Sequence, residues 1–412
     1  MSLLVMKFGG TSVADPARIR AAATKVAQEV ARGHEVIVIV SAMAGRTNEL
    51  VGLVRDVAPL YDAREYDAVV SAGENVTAGL MALTLQAMDV PARSWQGWQV
   101  PLHTNSSHGT ARILDVERAA IDGRFAEGMK VAVVAGFQGI SPEGRITTLG
   151  RGGSDTTAVA FAAAFGAERC DIYTDVDGIY TTDPRICERA RLLDRIAFEE
   201  MLELASLGAK VLQTRSVELA MRYGVPVRVL SSFDETDENS GTLVCSEEEI
   251  MESRVVSGVA FSRDEAKMTL RSVADRPGIA AAIFGPLADA GVNVDMIVQN
   301  IAEDGRTDLT FSCPIDQVAR AEGALARAKE AGAVNFWDLD ADTEVAKVSV
   351  VGIGMRSHAG VAARMFSALS DEGVNIKVIT TSEIKISVLI DRKYMELAVQ
   401  TLHDAFGLEQ SV

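Results

Sequence analysis

An internal repeat limits the folds that are open to this chain. Residues 276–297, RPGIAAAIFGPLADAGVNVDMI, align without a gap with residues 358–379, HAGVAARMFSALSDEGVNIKVI. Gly278 matches Gly360 and Asn293 matches Asn375, and the members of each match lie 82 positions apart. A repeat at fixed spacing predicts two copies of one structural unit that pack on each other.

Each copy contains the same order of predicted elements. A strand, at residues 267–273 or 347–351, leads into a loop, a helix, a glycine turn and a further strand. This order predicts two ferredoxin-like βαββαβ modules, the first at residues 257–343 and the second at residues 344–412.

Before the repeats, buried strands alternate with helices. Residues 15–32 have apolar side chains at helical spacing, with Asp15 as the N-cap and Pro16 at the first helical position. An Ala-rich helix is expected at residues 156–165. Continuous apolar runs predict parallel strands covered on both faces, and they lie at residues 3–8, 36–40, 130–135, 171–174 and 225–230. Residues 1–230 are therefore predicted to form a three-layer α/β/α domain with a mainly parallel sheet.

The stretch between the two parts changes in character. Residues 231–253 contain DETDENSG followed by SEEE, which are acidic and turn-rich with few apolar anchors. This composition predicts a solvated linker, placed at residues 231–256.

The charge and cysteine content limit the partners. A net charge of −17 over 412 residues disfavours nucleic acid and acidic membrane surfaces. Four scattered cysteines and five histidines form no metal-ligand pattern, and free thiols fit a reducing cytosol. The sequence starts without a signal-like segment, and no apolar run approaches membrane length. We therefore expect a cytoplasmic protein without membrane attachment.

The first of three glycine- or aspartate-rich segments is KFGGTS, which places Lys7 at a strand end before Gly9 and Gly10. Adjacent glycines at a strand-to-helix turn let the backbone approach a phosphate, and Lys7 would reach the phosphoryl group. Taken alone, this segment is explained equally well by a glycine-containing turn with a surface lysine.

The second segment, LGRGGSDTT, opens the Ala-rich helix. Arg151 suits a carboxylate because a guanidinium donates two parallel hydrogen bonds. The glycine N–H groups suit phosphates, and Asp155 is placed to orient Lys7 or a metal ion. A simple N-cap role for Ser154 would leave Arg151 unexplained, so a functional role is favoured.

The third segment, TDVDGIYTTDPR, follows a predicted strand and carries Asp175, Asp177 and Tyr180. Loops at the carboxyl ends of parallel strands commonly hold ligands. The spacing excludes a calcium loop, whereas a plain hairpin turn stays open as an alternative. Neither a Walker A segment nor the protein-kinase motifs occur, and Gly352-Ile353-Gly354 lacks the third glycine of a dinucleotide fingerprint.

In their residues and in their order along the chain, these segments resemble the aspartokinase branch of the amino-acid kinase family. The similar motifs are KFGGTS, SAMAGRTNEL, SAGE, TLGRGGSDTTA, TDVDGIYTTDPR and EEMLELASLGAKVL. The repeats, with DRPGIAAAIF…NVDMIVQN and GMRSHAGVAARMF…TSEIKISVLI, resemble paired ACT domains that sense lysine and threonine. The resemblance covers essentially the whole chain. It implies an ATP-dependent kinase acting on the side-chain carboxylate of L-aspartate, in the biosynthesis of lysine, diaminopimelate, threonine and methionine.

The resemblance also implies roles for single residues. Lys7 would neutralise charge on the γ-phosphoryl group, and Asp155 would organise Lys7 and the phosphates with their Mg²⁺. The substrate would be bound by Ser41, Thr47, Glu74, Arg151 and Ser154, with Glu74 at the α-amino group and Arg151 at the α-carboxylate. ATP would be surrounded by Lys7, Gly9, Gly10, Ser12, Thr174, Asp175, Tyr180, Asp183 and Lys210. Mg²⁺ would be held through the ATP phosphates rather than by a protein cluster.

The expected chemistry needs no general base, because a carboxylate is already a nucleophile at neutral pH. Catalysis would consist of positioning and electrostatic stabilisation by Lys7, Mg²⁺ and backbone donors. The lack of a Ser/His/Asp or Cys/His constellation agrees with this expectation.

Effectors would bind between the paired ACT modules, and a homodimer or larger assembly would form through them. The expected contacts are Asp275, Arg276, Pro277, Gly278, Ile279, Asn293, Val294, Gln299, Val361, Asn375, Ile376, Thr381 and Ser382. Alternatively, the repeats only dimerise the enzyme. The sequence leaves open whether lysine, threonine or both inhibit, and whether Met251 starts a separate regulatory subunit.

Four positions depart from the pattern of the resembled branch. Asn105 stands where many relatives have Asp, Gln213-Thr214 replaces a frequent His-Pro, and Ala359 breaks the Pro-Gly of the first repeat. The rival functions are a glutamate or N-acetylglutamate kinase and a pure amino-acid-binding regulator. Two ACT modules argue against the first, and the intact set of Lys7, Arg151 and Asp155 argues against the second. A fused homoserine dehydrogenase is not expected, because no dinucleotide fingerprint follows the repeats.

Overall fold

The computed structural model describes residues 2–207, 211–234, 240–250, 254–299 and 305–410. The chain divides into two compact units. The first unit contains Met1–Ile179, Leu192–Ser206 and Lys210–Glu252, and the second contains Tyr180–Arg191, Leu207–Ala209 and Ser253–Val412.

The first unit is built around an eight-stranded sheet with a smaller sheet of four strands. Its strands are β1 (Leu3–Phe8), β2 (Glu35–Val40), β3 (Ala92–Trp95), β4 (Leu102–Thr104), β5 (Ile113–Val116), β6 (Val131–Ala135), β7 (Gln138–Ile140), β8 (Ile146–Thr148), β9 (Arg169–Thr174), β10 (Arg195–Ala197), β11 (Val227–Ser231) and β12 (Thr242–Cys245). Its helices are α1 (Pro16–Ala31), α2 (Arg46–Val57), α3 (Ala63–Val70), α4 (Ala72–Gln86), α5 (Ala119–Ala126), α6 (Gly153–Phe165), α7 (Phe198–Ser206) and α8 (Thr214–Tyr223).

The large sheet has the order β10-β12-β11-β9-β1-β2-β6-β3, and every pair except β11–β12 is parallel. Alternate strand residues such as Met6 and Val38 pack with α1 and α4 on one face. The intervening residues, such as Val5 and Ile37, are equally buried, and α6 packs against β1 and β2 there. The predicted three-layer α/β/α architecture is therefore confirmed, and the smaller sheet has the order β5-β4-β7-β8.

Local sequence explains why the elements begin where they do. The Asp15 carboxylate accepts a hydrogen bond from the Arg18 N–H at 2.9 Å, and Pro16 follows as the first residue of α1. The run EVIVIV of β2 is buried over its last five residues, as predicted for a central parallel strand. In α6, small alanine side chains let a helix buried on nearly all sides approach the sheet closely.

The parallel arrangement brings five strand ends to one edge of the sheet. The strands β1, β2, β6, β9 and β11 run in the same direction. Their last residues, Phe8, Val40, Ala135, Thr174 and Ser231, therefore lie along the same edge. Ligands of open α/β sheets bind outside this carboxyl edge.

The predicted linker at residues 231–256 is wrong in one stretch. Residues Thr242–Cys245 form β12, which pairs with β11 and β10 inside the large sheet. Thr242 is fully buried, and its hydroxyl lies 2.8 Å from the Ile179 nitrogen and 2.6 Å from the Leu193 oxygen. A strand of four residues between acidic segments carries too weak a pattern to be recognised from the sequence.

The helices α3 and α4 also differ from expectation. Together they form a helical stretch, Ala63–Gln86, that is long and apolar enough to cross a membrane by length and composition, whereas no such run was predicted. Half of its most apolar window is buried inside the unit. That burial is typical of a core helix.

The second unit contains one antiparallel six-stranded sheet. Its strands are β13 (Gly258–Ala274), β14 (Ile297–Gln299), β15 (Arg306–Pro314), β16 (Asp338–Val351), β17 (Ile376–Thr381) and β18 (Lys385–Asp391), in the order β14-β15-β13-β16-β18-β17. Its helices are α9 (Ile279–Asp289), α10 (Val318–Glu330), α11 (Val361–Asp371) and α12 (Met395–Ala405). Helices α9 and α10 pack on one half, and α11 and α12 on the other, as two copies of one unit require.

The two copies share their central strands, so the predicted boundaries at residues 257 and 343/344 do not separate two self-contained modules. The first part of β13, residues 258–262, pairs with residues 347–351 of β16. Its later part, residues 267–271, pairs with residues 338–342. Val256 and Val259 accordingly lie in the core beneath α11 and α12. A repeat alignment finds equivalent residues but does not show how paired copies exchange strands.

Two pairs of repeat-equivalent residues carry opposite charges. Glu265 and Lys347 lie 82 positions apart, as do Asp295 and Lys377. The Lys347 ammonium lies 2.7 Å from a carboxylate oxygen of Glu265 and 2.7 Å from one of Asp295, and Lys347 is only 4% exposed. Burial alone would lower the pKa of Lys347, but the two carboxylates raise it. The charges therefore favour pairing of the first copy with the second copy over pairing of two identical copies.

We predict that Lys347→Glu lowers the free energy of unfolding by about 3 kcal/mol or more, because it places carboxylates together in a buried site. The exchange Glu265→Lys/Lys347→Glu should recover part of the loss, since that pair re-forms with its charges reversed while Asp295 stays without its partner. Urea denaturation of the full chain measures both effects. The exposed Lys393→Glu is the control, and equal losses in the single and exchanged variants would contradict the pairing role.

Candidate active site

An ion pair joins the central strand to the helix that follows the glycine-rich segment. The Lys7 ammonium, near the carboxyl end of β1, lies 2.5 Å from Oδ1 of Asp155 in the first turn of α6. Both residues are 8% exposed. The structure therefore brings together the two residues predicted to be catalytic, and it places a largely buried cation at the carboxyl edge of the sheet.

The glycine turn after β1 lies directly beside this pair. A side-chain carbon at Gly9 would lie 3.5 Å from the Lys7 ammonium nitrogen, and one at Gly10 would lie only 2.9 Å from the Ala42 carbonyl oxygen. The Ser12 hydroxyl lies 2.5 Å from that of Ser232. The turn is therefore narrow and lined by backbone, as a phosphate-binding turn requires.

The segment after β2 connects this turn to Glu74. The Ser41 N–H donates to the Phe8 carbonyl at 3.1 Å, and the Ala42 N–H donates to Oε1 of Glu74 at 3.1 Å. Glu74 is 3% exposed, and its Oε2 has no hydrogen-bond partner within the described part of the chain. Burial raises the pKa of Glu74 to about 7, although the Ala42 N–H acts in the opposite direction.

The first turn of α6 presents the glycine-rich segment. Gly150 and Gly152 have φ of 78° and 69°, which favours glycine at both positions. A side-chain carbon at Gly152 would collide with Gln213, at 1.8 Å from its Cγ. Arg151 is exposed and has no hydrogen-bond or ion-pair partner among the described residues. The segment thus places an exposed guanidinium next to a helix N-terminus, which favours anions.

Sequence reasoning missed Phe137, which follows β6 at the same edge. Its φ of 70° is unusual for a residue with a bulky side chain. The Phe137 N–H donates to the Thr157 hydroxyl at 3.1 Å, and its carbonyl accepts from the Leu149 N–H at 3.0 Å. Phe137 thereby ties α6 to the loop that carries Arg151. The adjoining Gly136 has room for no side chain, because one would lie 3.0 Å from the Ser154 Cβ.

The predicted nucleotide residues Thr174 and Asp175 lie at the end of β9. The Thr174 hydroxyl donates to the Asp175 carboxylate at 3.1 Å. The Ser232 N–H donates to the Thr174 carbonyl at 2.8 Å, which links them to Ser12 through the Ser232 hydroxyl. Ser232 lies inside the predicted linker, and no sequence motif indicates its place beside Ser12.

The remaining predicted site residues are Thr47, Tyr180, Asp183 and Lys210. Tyr180 and Asp183 fall in the second unit, where the Asp183 carboxylate pairs with Arg185 at 2.7 Å, and hydrogen bonding from that arginine lowers the pKa of Asp183. Lys210 lies outside the described residues. Thr47 is half-buried in the first turn of α2.

The predicted effector residues lie at corresponding places in the two copies. Gly278 and Gly360 immediately precede α9 and α11, with φ of 90° and 96°. In the first copy, the Gln299 amide donates to Asp275 at 3.4 Å. In the second copy, a cleft of about 370 Å³ is lined in part by Asn375 and Ile376. Ile279 and Val361 are the first residues of α9 and α11. The other predicted effector residues lie in adjoining loops and strands: Arg276, Pro277, Asn293, Val294, Thr381 and Ser382.

No group of three or more His, Cys, Asp or Glu side chains suited to a metal ion occurs in the described ranges. The four cysteines are buried free thiols. Asp155 is a single buried carboxylate beside the glycine turn. Such a donor set fits a hard cation that takes most of its ligands from phosphate oxygens.

Comparison with known proteins agrees with this geometry. The sequence model of the amino acid kinase family matches residues 2–231, and ACT domain models match residues 268–332 and 348–406. An aspartate kinase of Pseudomonas putida is 53% identical over 99% of this chain and 98% of that protein. The crystal structure of Escherichia coli aspartokinase III with aspartate and ADP, in its R-state, is 29% identical with a TM-score of 0.79, covering 98% of this chain and 99% of that one.

A second crystal structure of the Escherichia coli protein, with lysine and aspartate in the T-state, is also 29% identical and has a TM-score of 0.76. It covers 98% of this chain and 99% of that one. The chain belongs to the aspartokinases of the amino acid kinase family and carries two ACT domains at its carboxyl end.

The raised pKa of Glu74 predicts a pH-dependent effect on stability. Between about pH 4, where a glutamate in an unfolded chain ionises, and about pH 7, where folded Glu74 does, only the unfolded state releases the proton. Folding of the native sequence therefore becomes less favourable across this window. The free energy of unfolding of Glu74→Gln should rise relative to the native protein up to about pH 7 and then level off. A difference that is constant across urea titrations at several pH values would contradict this.

Proposed function

We propose that the chain transfers the γ-phosphoryl group of ATP to the β-carboxylate of L-aspartate, giving 4-phospho-L-aspartate. One observation carries the proposal: the buried Lys7–Asp155 pair lies beside Gly9 at the carboxyl end of the central strand. This arrangement holds one cation against a narrow glycine turn. The aspartate and ADP bound to the Escherichia coli relative support the choice of reactants.

Glu74 and Arg151 support an α-amino acid as the acceptor. L-Aspartate carries one ammonium and two carboxylates. Oε2 of Glu74, which has no partner among the described residues, offers the ammonium a buried carboxylate oxygen, and the Arg151 guanidinium offers two donors to the α-carboxylate. With both groups held, the β-carboxylate remains to face the phosphoryl donor. The hydroxyls of Ser41, Thr47 and Ser154 would complete the substrate contacts.

The reaction needs positioning and charge stabilisation rather than a proton acceptor. The β-carboxylate attacks the γ-phosphorus in line with the departing ADP oxygen, and no proton has to leave the nucleophile. Lys7 would stabilise the charge on the transferring group, and Asp155 would keep the ammonium directed at it. Backbone N–H groups of Gly9, Gly10 and the first turn of α6 would add donors. Mg²⁺, held by the ATP phosphates and oriented by Asp155, would neutralise further phosphate charge.

The remaining nucleotide contacts follow the sequence prediction. Ser12, Thr174 and Asp175 would line the ATP site, and the hydrogen bonds through Ser232 support their common location. Tyr180, Asp183 and Lys210 complete the proposed set. Because Asp183 is paired with Arg185, its contact with ATP would require that pair to rearrange or to act as a unit.

We also propose that the paired ACT domains sense an amino-acid end product. Residues 1–230 would be the catalytic domain, and lysine, threonine or both would bind at the second unit and favour a less active state. The lysine bound to the Escherichia coli relative in its T-state supports this regulation. The enzyme would act in the cytoplasm, as a homodimer or larger assembly formed through the ACT domains. Its place would be at the entry to lysine, threonine and methionine biosynthesis, including diaminopimelate.

The reaction is tested by trapping the acyl phosphate with hydroxylamine in the presence of ATP and Mg²⁺. We predict hydroxamate from L-aspartate and little from L-glutamate. Glu74→Gln should raise the KM for aspartate about tenfold or more, because a charged partner of the ammonium is lost, while the KM for ATP changes little. The exposed Glu49→Gln is the matched control.

Product from glutamate alone would keep the kinase chemistry and reject the substrate. No product from either amino acid would favour a regulator that only binds amino acids. The same assay with added lysine and threonine, singly and together, tests regulation. If neither lowers the rate nor shifts the thermal midpoint, the sensing proposal fails while the reaction stands.

A further inference from the structure

A buried aspartate outside the proposed substrate contacts holds together three segments near Arg151. Asp67, in α3, is fully buried. Its carboxylate lies 2.8 Å from Nδ1 of His108, and it accepts the Gly109 N–H at 3.1 Å and the Thr148 hydroxyl at 2.5 Å. One side chain therefore connects α3, the loop at residues 105–112 and the end of β8.

An arginine from a different element holds the same two loops from another position. Arg215, in α8, donates to the Leu149 carbonyl at 3.0 Å and to the Ala111 carbonyl at 2.9 Å. Asp67 and Arg215 share no contact atom. Each nevertheless joins residues 108–111 to residues 148–149, which immediately precede Gly150 and Arg151.

The backbone between these two side chains is tightly packed. The Ala111 N–H donates to the Thr148 carbonyl at 2.9 Å, and the Gly153 N–H donates to the Gly150 carbonyl at 3.0 Å. A side-chain carbon at Gly150 would lie 3.3 Å from the Gly109 carbonyl oxygen. The base of the loop is thus fixed, whereas the Arg151 side chain is itself exposed and unpaired among the described residues. The location of the Arg151 guanidinium therefore depends on residues 148–150, which immediately precede it.

We propose that Asp67 and Arg215 are positioning residues that set the location of Arg151 and thereby the affinity for the α-carboxylate of the substrate. The inference rests on the proposed function, because it assigns that carboxylate to Arg151. Neither residue would touch the substrate. Their loss should therefore weaken aspartate binding more than it slows transfer from the saturated enzyme, since Lys7, Asp155 and the glycine turn keep their own contacts.

The test compares Asp67→Asn, Asp67→Ala and Arg215→Gln in steady-state kinetics with each substrate varied in turn. We expect the KM for aspartate to rise about tenfold in Asp67→Ala and in Arg215→Gln, because a bidentate contact is sensitive to misplacement. The KM for ATP should change less than about twofold, and kcat should fall far less than kcat/KM for aspartate. Asp67→Asn, which keeps one acceptor oxygen, should lie between the native protein and Asp67→Ala.

Asp171→Asn is the matched control for a purely structural effect. Asp171 is also fully buried, and it is paired with Arg169 and Arg228 in the sheet rather than with the Arg151 loop. This variant should lose stability without a selective rise in the KM for aspartate. Arg118→Ala, which removes an exposed arginine paired with Asp122, is the control for Arg215.

The possible outcomes separate the two proposals. If the native chain makes no acyl phosphate from aspartate, the proposed function itself fails. If the native chain is active and folded Arg215→Gln and Asp67→Asn keep the native KM for aspartate, the positioning role is overturned. Equal rises in the KM for aspartate and for ATP would also overturn it, because they would indicate a general distortion. Arg215 is only half-buried, so its variant tests the idea even if Asp67→Ala does not fold.

Discussion

Lys7 and Asp155 come from distant parts of the sequence, and their ion pair fixes the end of β1 against the start of α6. Because both side chains are about nine-tenths buried, loss of either would leave an uncompensated charge in a site of low polarity. The pair in turn requires close approach of the surrounding backbone. Gly9 lies against the ammonium, and Ala-rich α6 packs directly on the sheet. The geometry proposed for phosphoryl transfer therefore depends on this contact and on the parallel strands that support it.

Much of the catalytic unit was predictable because its signals are local and strong. The β-branched runs of β1 and β2 indicated buried parallel strands, and Asp15 with Pro16 indicated the start of α1. The parallel strands place Lys7 and Asp175 at one edge of the sheet. Their common location could therefore be predicted from the order of strands and helices. The pairing of Lys7 with Asp155 was also expected. Only the resemblance to a known family, however, favoured it over the alternative that Lys7 is a surface lysine beside a glycine turn.

The features that were not predicted all depend on contacts between distant residues. β12 is a strand only because β11 and β10 flank it, and Ser232 reaches Ser12 only after β11 is placed in the sheet. The exchange of strands between the ACT copies follows from the pairing of β13 with β16, which a repeat alignment does not contain. Asp67 carries no motif, since a single aspartate in a helix is usually exposed. The local sequence pattern of these elements is weak, and contacts with residues distant in the sequence determine their structure.

The most direct test of the account is a double-mutant cycle on kcat for aspartate phosphorylation, with Lys7→Ala, Asp155→Ala and the combined variant. If Asp155 acts by directing the Lys7 ammonium, each single change should lower kcat about 100-fold or more, and the combined variant should be little worse than Lys7→Ala alone. Urea denaturation, measured in parallel, establishes that each variant is folded. Losses that multiply in the combined variant would contradict the account, because the two residues would then act independently.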